Sequence, residues 1–545
     1  MFRIYFLIPL LIPLLFVKGT FAEWLFRPLK RRMDWLASRP TRAIVFVGVV
    51  SLMLCAGLTL VGGVPSPQVA DEFGYLLLGD TFAHGRIANP TPPLWQHFET
   101  IHEIMRPSYA AKYPPGQGLA LATGESLGLP IAGVWLSTAL ACAAMCWMMM
   151  AWMPPRWALL GGLLTAFHPQ VLEWSQNYWG GAVAMGGGAL VLGAFRRLLR
   201  SPRARDAVWM GVGLGVMANS RPYEGFVLGL LVSLALMIWF IMEGKTPVPV
   251  MFRRVFLPLA GVLVLVGAQI CFYNWRVTRN PVVMPYVVHE ETYGLAPLFL
   301  FGTPRPEPHY LHPQIRMLQE EYMAYYESQR NSFHGLLAAT GEKIWVLAQA
   351  YLWSYLMLVP LLALPWALGQ DRWLWFVLFI GMFFSVAMLL STWVYPHYAA
   401  PAAGLYFVLV VESMRNLNAW HIKTRRVGRN LTRGLVILIG MSFLQIAVKM
   451  AGADRHRWNY QREAMLENLR REPFKSLVIV EYHPDHNPNR EWIYNEANLS
   501  GAKVILARDM GPRNQELVDY FKDRKAWVLD ADAENPEVEP YPGKG

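Results

Sequence analysis

Runs of apolar residues, each long enough to cross a bilayer as a helix, recur along most of this chain. A bilayer core is spanned by roughly 17–25 apolar residues in helical form. Backbone polar groups in hydrocarbon must be satisfied inside the segment, so these runs are predicted to be helices. They fall at about 43–64, 131–153, 156–168, 179–198, 206–219, 223–243, 255–274, 343–366, 372–392, 398–414 and 433–451, with a shorter one from Phe6 to Val17. Several are short and glycine-rich, which sets the count at about eleven to thirteen spans. The glycines Gly180, Gly181, Gly186, Gly187 and Gly188 predict close helix–helix approach. Only 16% of the 545 residues are charged, against about a quarter in soluble domains. The fold class predicted is therefore a polytopic α-helical membrane protein.

The net charge of +11 is spread as orientation signals are. Basic residues gather at Arg27–Arg42, at Arg196–Arg205, at Lys245–Arg254 and at Lys423–Arg433. The alternate connections 169–178 and 393–397 carry no Lys or Arg. That alternation follows the positive-inside rule and puts 65–130, 275–342 and the C-terminal segment outside the cytoplasm. No basic stripe with interleaved aromatics occurs, which argues against nucleic acid as a partner. Cys55, Cys142, Cys146 and Cys271 all lie in apolar runs and read as small hydrophobes.

Three segments follow: a hydrophobic anchor and basic cytoplasmic stretch at 1–42, a membrane part at 43–452, and a tail at 453–545. The tail changes character. Leu477–Glu481, Lys503–Ala507 and Ala526–Leu529 read as buried strands and Asn514–Phe521 as a helix, so the tail is predicted to be a small α/β domain. Its His483-Pro484-Asp485-His486 stretch reads as a turn after a strand.

The outside loops are long, and long loops in a compact fold commonly carry function. Just beyond the second apolar run lies Val69-Ala70-Asp71-Glu72-Phe73. Acids this close to a bilayer are costly. Asp71 and Glu72 are candidates for a general base, and they equally suit the N-terminus of a helix starting near Phe73. The same loop holds His84 and Arg86, then Lys112-Tyr113-Pro114-Pro115-Gly116-Gln117. Lys112 fits either a phosphate at a helix start or an interfacial lysine reaching for water. Arg221, in the break Asn219-Ser220-Arg221-Pro222-Tyr223-Glu224, suits bidentate phosphate binding or an ion pair with Glu224. His397 and Tyr398 stand at the start of another run, where His397 fits either a donor to a phosphate or a sugar or a satisfied interfacial histidine. In 275–342, His289, Glu290, Glu291, His309, His312, Glu320 and Glu321 leave a divalent cation open, but no metal-ligand spacing fixes one. Contacts to an acceptor are the favoured use of that loop.

An Asp-Glu pair after the first major span, an extended outside loop, and Lys112-Tyr113-Pro114-Pro115-Gly116 before the next span together resemble the GT-C superfamily. The nearest branch in pattern is the bacterial group similar to protein O-mannosyltransferases and aminoarabinose transferases. The resemblance covers about 43–451. It implies a glycosyltransferase of the bacterial inner membrane that takes sugar from a polyprenyl-phosphate donor to a glycan, lipid or protein acceptor on the periplasmic side. It implies that Asp71 activates or orients the acceptor, that Glu72 supports it, and that Lys112 lies near the lipid phosphate. The family's second acid belongs in the loop His168–Trp179, where Glu173 is the only acid and Asn177 stands at the usual acidic position. Tyr113, Gln117, Tyr223 and Glu224 complete the predicted substrate-binding set. The rival class is a lipid or solute transporter, which favours ionisable residues at mid-span and related halves; few such charges and no clear repeat are present. A non-catalytic envelope assembly factor on the same fold is the third reading.

Overall fold

The computed structural model describes residues 19–244, 246–352, 356–422, 426–452 and 457–542. The predicted N-terminal run Phe6–Val17 lies outside the described residues, as do Lys18, Lys245, Lys423, Arg425 and Asp454.

Seven described helices are long and apolar enough to cross a membrane: Pro40–Gly62, Pro130–Trp152, Ala182–Arg200, Pro222–Met242, Val248–Thr278, Arg372–Leu389 and Val427–Ala451. Proline opens several of them, its fixed φ and missing N–H costing nothing at a first helical position. The other predicted runs form shorter helices. Pro155–Ala166 has 12 residues, Ala204–Ala218 has 15 and Ala403–Asn418 has 16. The run expected at 343–366 is not one span. Among the described residues the helix Phe333–Leu352 is followed by the separate pieces Leu358–Leu361 and Leu364–Gln370, with turns at 356–357 and 362–363. Pro360 and Pro365 account for the interruption, since proline cannot donate to a preceding turn.

Of the glycines predicted to permit close approach, Gly187 and Gly188 do so, whereas Gly186 makes only ordinary contact with Ala141 and Gly180 and Gly181 meet side chains ahead of the helix. A Cβ on Gly188 would lie 1.9 Å from the Pro401 carbonyl oxygen, and one on Gly187 would lie 2.8 Å from Met217. The helix Val248–Thr278 behaves oppositely. Only 6% of its apolar window is buried, so Leu263, Val264 and Leu265 point outward, as lipid-facing side chains do.

The two long loops are folded. Loop 65–130 holds the helix Ala70–Ala83, a two-residue hairpin pairing Glu103 with Ala111, and the helix Pro115–Glu125. The two helices cross where their side chains are smallest: a Cβ on Gly118 would meet Leu78 at 2.5 Å, and one on Gly79 would meet Leu121 at 2.8 Å. Loop 275–342 holds the helices Pro285–Tyr293 and Pro313–Arg330.

The tail sheet contains Lys475–Glu481, Val504–Arg508, Arg524–Asp530 and Val538–Pro540. The first strand lies between the second and third, parallel to both, and the last is an antiparallel edge. Side chains alternate between its faces. Leu477, Ile505 and Ala507 share a core with Leu78, Tyr109 and Ile104 of loop 65–130. Val478, Val480 and Leu506 pack instead on Met465, Leu466 and Leu469 of the helix Trp458–Arg471. One sheet face is therefore built into the first loop. The contact is also polar: Arg508 is fully buried, pairs with Glu491 and donates from Nε to the Glu99 carbonyl at 2.9 Å.

Candidate active site

Asp71 and Glu72 open the helix Ala70–Ala83, where the positive end of the helix dipole favours carboxylates. They face different surroundings. Glu72 is buried and accepts from the N–H groups of Gln68 at 2.7 Å, Val69 at 3.4 Å and Tyr178 at 3.0 Å. Burial is the main cause that lifts its carboxyl to about 7; the three N–H donors oppose the rise and the neighbouring Asp71 charge adds to it. Glu72 thus ties the loop before the helix to the loop at 178. Asp71 keeps a third of its side chain exposed. The Tyr113 hydroxyl donates to its Oδ1 at 2.8 Å, and His102 Nδ1 lies 2.8 Å from that hydroxyl and 3.6 Å from Asp71 Oδ2. Tyr113 is held flat against Tyr75, with ring centroids 4.3 Å apart.

His102 sits in a left-handed backbone conformation, φ 65°. Burial first, then the charge of Lys112 and the nearby His289, push its imidazole well below the usual range. Those surroundings favour its neutral form, which carries a single N–H. A neutral histidine, a phenol and a carboxylate therefore form one connected set.

Lys112 is buried, with Nζ 4.0 Å from Glu290 Oε1 and 4.8 Å from the ring centre of Tyr286. Burial lowers its ammonium, and Glu290 and Asp71 counter this. Burial would raise Glu290, but the His289 hydrogen bond at 3.3 Å and the Lys112 charge outweigh it and hold the carboxyl below its ordinary value. Arg305 adds a contact at 3.5 Å. Lys112 thus has its counterion inside the protein.

Arg221 differs. No carboxylate lies within 4.0 Å of its guanidinium among the described residues, and the group rests over the Tyr398 ring at 4.3 Å. The ion pair with Glu224 offered by the sequence does not form. Burial works against the charge, but Tyr75, Tyr398, Glu224 and Asp71 together favour it. Glu224 is buried. The Gly116 N–H donates to the Asn219 carbonyl at 2.6 Å, which fastens the Pro115–Glu125 helix start to the break holding Arg221. A Cβ on Gly116 would lie 2.6 Å from that same oxygen, so glycine is needed there. His397 is buried against Trp179, Tyr398 and Tyr395. Burial, then Arg221, pushes its imidazole well below the usual range.

Asp71, Tyr75, Lys112, Tyr113, Arg221, His289, His397 and Tyr398 are thus brought to one place. Other predicted residues are placed elsewhere. His84 and Arg86 sit beyond the far end of the 14-residue helix that Asp71 opens, about 20 Å along it. His84 pairs with Asp80 at 2.8 Å, largely in solvent. Glu173 is exposed, and Asn177 donates to the Glu173 carbonyl at 3.0 Å. The Gln117 amide donates to the Tyr178 carbonyl at 2.9 Å, and the Tyr223 hydroxyl to the Ala387 carbonyl at 2.8 Å. These side chains are occupied with backbone. Glu290, the buried acid beside Lys112, comes from the later loop rather than from His168–Trp179. His102, Tyr75 and Tyr286 were not marked by the sequence, because no motif distinguishes them from ordinary core residues. Among the described residues, three donor atoms within 4.8 Å of one another occur not in loop 275–342 but at His483, Asp530 and Asp532.

No family model matches the chain, and no curated protein matches it. Solved structures do. ArnT from Cupriavidus metallidurans in the apo state overlays 89% of this chain and 92% of its own, with a TM-score of 0.50 at 13% identity. The chain has the GT-C fold. The same ArnT bound to undecaprenyl phosphate covers the same shares with a TM-score of 0.48 at 13% identity. An oligosaccharyltransferase from Archaeoglobus fulgidus, in complex with Zn and sulfate, covers 90% of this chain and 67% of its own, with a TM-score of 0.47 at 13% identity.

Proposed function

We propose that this GT-C-fold chain is a membrane glycosyltransferase that moves a sugar from a polyprenyl phosphate to an acceptor hydroxyl. The site would face the periplasmic side of a bacterial inner membrane, with glycan, lipid and protein acceptors all chemically suited to it. The observation that carries the reading is the pairing, in one cluster, of a partly exposed carboxylate with an arginine that has no carboxylate partner within 4.0 Å among the described residues. Asp71 takes the acceptor proton as its oxygen bonds to the anomeric carbon. The bond from that carbon to the phosphate oxygen breaks, and its electron pair leaves with the polyprenyl phosphate. Arg221 compensates the charge that develops there, which is where electrostatic stabilisation acts most strongly. A phosphate leaves readily without a dedicated acid, so one base and one cation suffice. A single displacement of this kind inverts the anomeric centre.

The assignment sharpens the predicted roles. Lys112, already neutralised by Glu290, positions the loop at 285–293, whereas Arg221 meets the phosphate. His397 and Tyr398 supply neutral hydrogen-bonding groups beside it. Tyr113 and His102 position Asp71, and Glu72 holds the helix start. Binding of undecaprenyl phosphate to the purified chain tests this directly. Arg221→Met is expected to weaken binding at least tenfold. Unchanged binding in that variant would remove Arg221 from the donor site.

A further inference from the structure

We propose that the tail sheet carries a divalent-cation site formed by His483, Asp530 and Asp532. The strands Lys475–Glu481 and Arg524–Asp530 are parallel neighbours, with Glu481 directly opposite Asp530. His483 lies two residues past the end of one strand, and Asp532 two past the end of the other. Open parallel sheets bind ligands at this carboxyl-terminal edge. His483 Nε2 is 3.1 Å from Asp530 Oδ2, and each of the three residues offers one donor atom within 4.8 Å of the others. Zinc bonds to histidine nitrogen and carboxylate oxygen are about 2.0–2.2 Å long, so small side-chain rotations bring all three onto one ion.

A separate feature points the same way. His486 is 3% exposed, its Nδ1 lies 2.7 Å from Asp532 Oδ1, and its Nε2 is buried without a hydrogen-bond partner. The His483 N–H donates to Asp532 Oδ2 at 2.9 Å. Asp532 is therefore oriented from behind by a buried histidine, the outer support that fixes ligating carboxylates. The site is also short of positive charge. Glu481 and Asp530 face each other across the strand pair, an arrangement that destabilises a sheet. Among the described residues, no Lys or Arg lies within 4.0 Å of Asp530 or Asp532; their ionic partners are the two histidines. Asp532 further lines a cavity of 590 Å³ with Arg457, Arg490, Gln68 and Val69, which extends to the cap of the Asp71 helix. One imidazole with two carboxylates favours Zn²⁺ or Mn²⁺ over Mg²⁺ and Ca²⁺, which take oxygen sets.

Calorimetric titration of the chelator-treated full chain in detergent with Zn²⁺, Mn²⁺ and Mg²⁺ tests the site. The expected result is one Zn²⁺ per chain, with Mg²⁺ binding at least tenfold more weakly. His483→Ala and Asp530→Asn should each weaken Zn²⁺ binding at least tenfold, and His486→Phe by about 10–100-fold. His483 is exposed, so His483→Ala keeps the test open if another variant fails to fold. Absence of Zn²⁺ binding by the unsubstituted chain, or equal binding by the folded variants, overturns the proposal.

Discussion

Arg508 offers a quantitative test of how the tail is joined to loop 65–130. Its guanidinium is fully buried, pairs with Glu491, donates from Nε to the Glu99 carbonyl at 2.9 Å, and lies 3.4 Å from Gln314 Oε1. Arg508→Met would leave the Glu491 carboxylate buried with only the Tyr482 hydroxyl and the Ile493 N–H. Removing one partner of a buried ion pair costs about 3–5 kcal/mol. Those two donors place the cost near the lower end, about 3 kcal/mol. At about 2–4 °C per kcal/mol for a unit of 150–250 residues, Tm falls by about 6–12 °C. The double variant Arg508→Met, Glu491→Leu removes both charges, and replacing a buried pair with apolar side chains is often neutral. It should recover most of the loss. Thermal unfolding of the full chain in detergent, followed by tryptophan fluorescence, reads both values. A single variant within about 2 °C of the parent, or a double variant losing the sum of both single costs, would refute the reasoning.

Glu72 predicts a pH dependence. Its folded pKa of about 7 lies above its ordinary value, so the stabilisation it gives is complete below about 4.5 and is lost as pH rises through about 7. Glu72→Gln should flatten the decline in Tm between pH 5 and 7, and an unchanged slope would assign that decline to other groups. Lys112→Met should lower Tm, because Glu290 loses a counterion, while changing undecaprenyl phosphate binding less than Arg221→Met does. The reverse order in a binding titration would return the phosphate role to Lys112. His84→Ala, remote and exposed, should leave binding and transfer within twofold of the parent.

The membrane part was legible because lipid imposes one rule on every span, that backbone polar groups be satisfied locally. The apolar runs followed from it, and the close contacts of Gly187 and Gly188 from the small side chains expected where helices meet. The run at 343–366 was misread because hydropathy outweighed Pro360 and Pro365. Asp71 was singled out by its place beside a span, and Arg221 by the break it sits in. Which cation lacked a counterion was not legible. Lys112 and Glu290 are far apart in sequence, and only the fold shows that they neutralise one another. His102 escaped for the same reason: its meaning lies in Tyr113 and Asp71, not in its neighbours. Three of the four tail strands were readable from their β-branched runs, and the short edge Val538–Pro540 was not. That one sheet face forms a common core with Leu78 and Tyr109 was not, since alternation along a strand shows that a face is buried without showing against what.

The central claim is that Asp71 takes the acceptor proton at a site whose donor phosphate is held by Arg221. Transfer of labelled sugar from undecaprenyl-phosphate-linked donors, measured beside undecaprenyl phosphate binding in the same Asp71→Asn preparation, tests it most directly. The account predicts transfer reduced by at least 10²-fold, as general-base catalysis contributes about 10²–10⁴, with lipid phosphate binding within about threefold of the parent. Transfer at the parental rate in Asp71→Asn would contradict it.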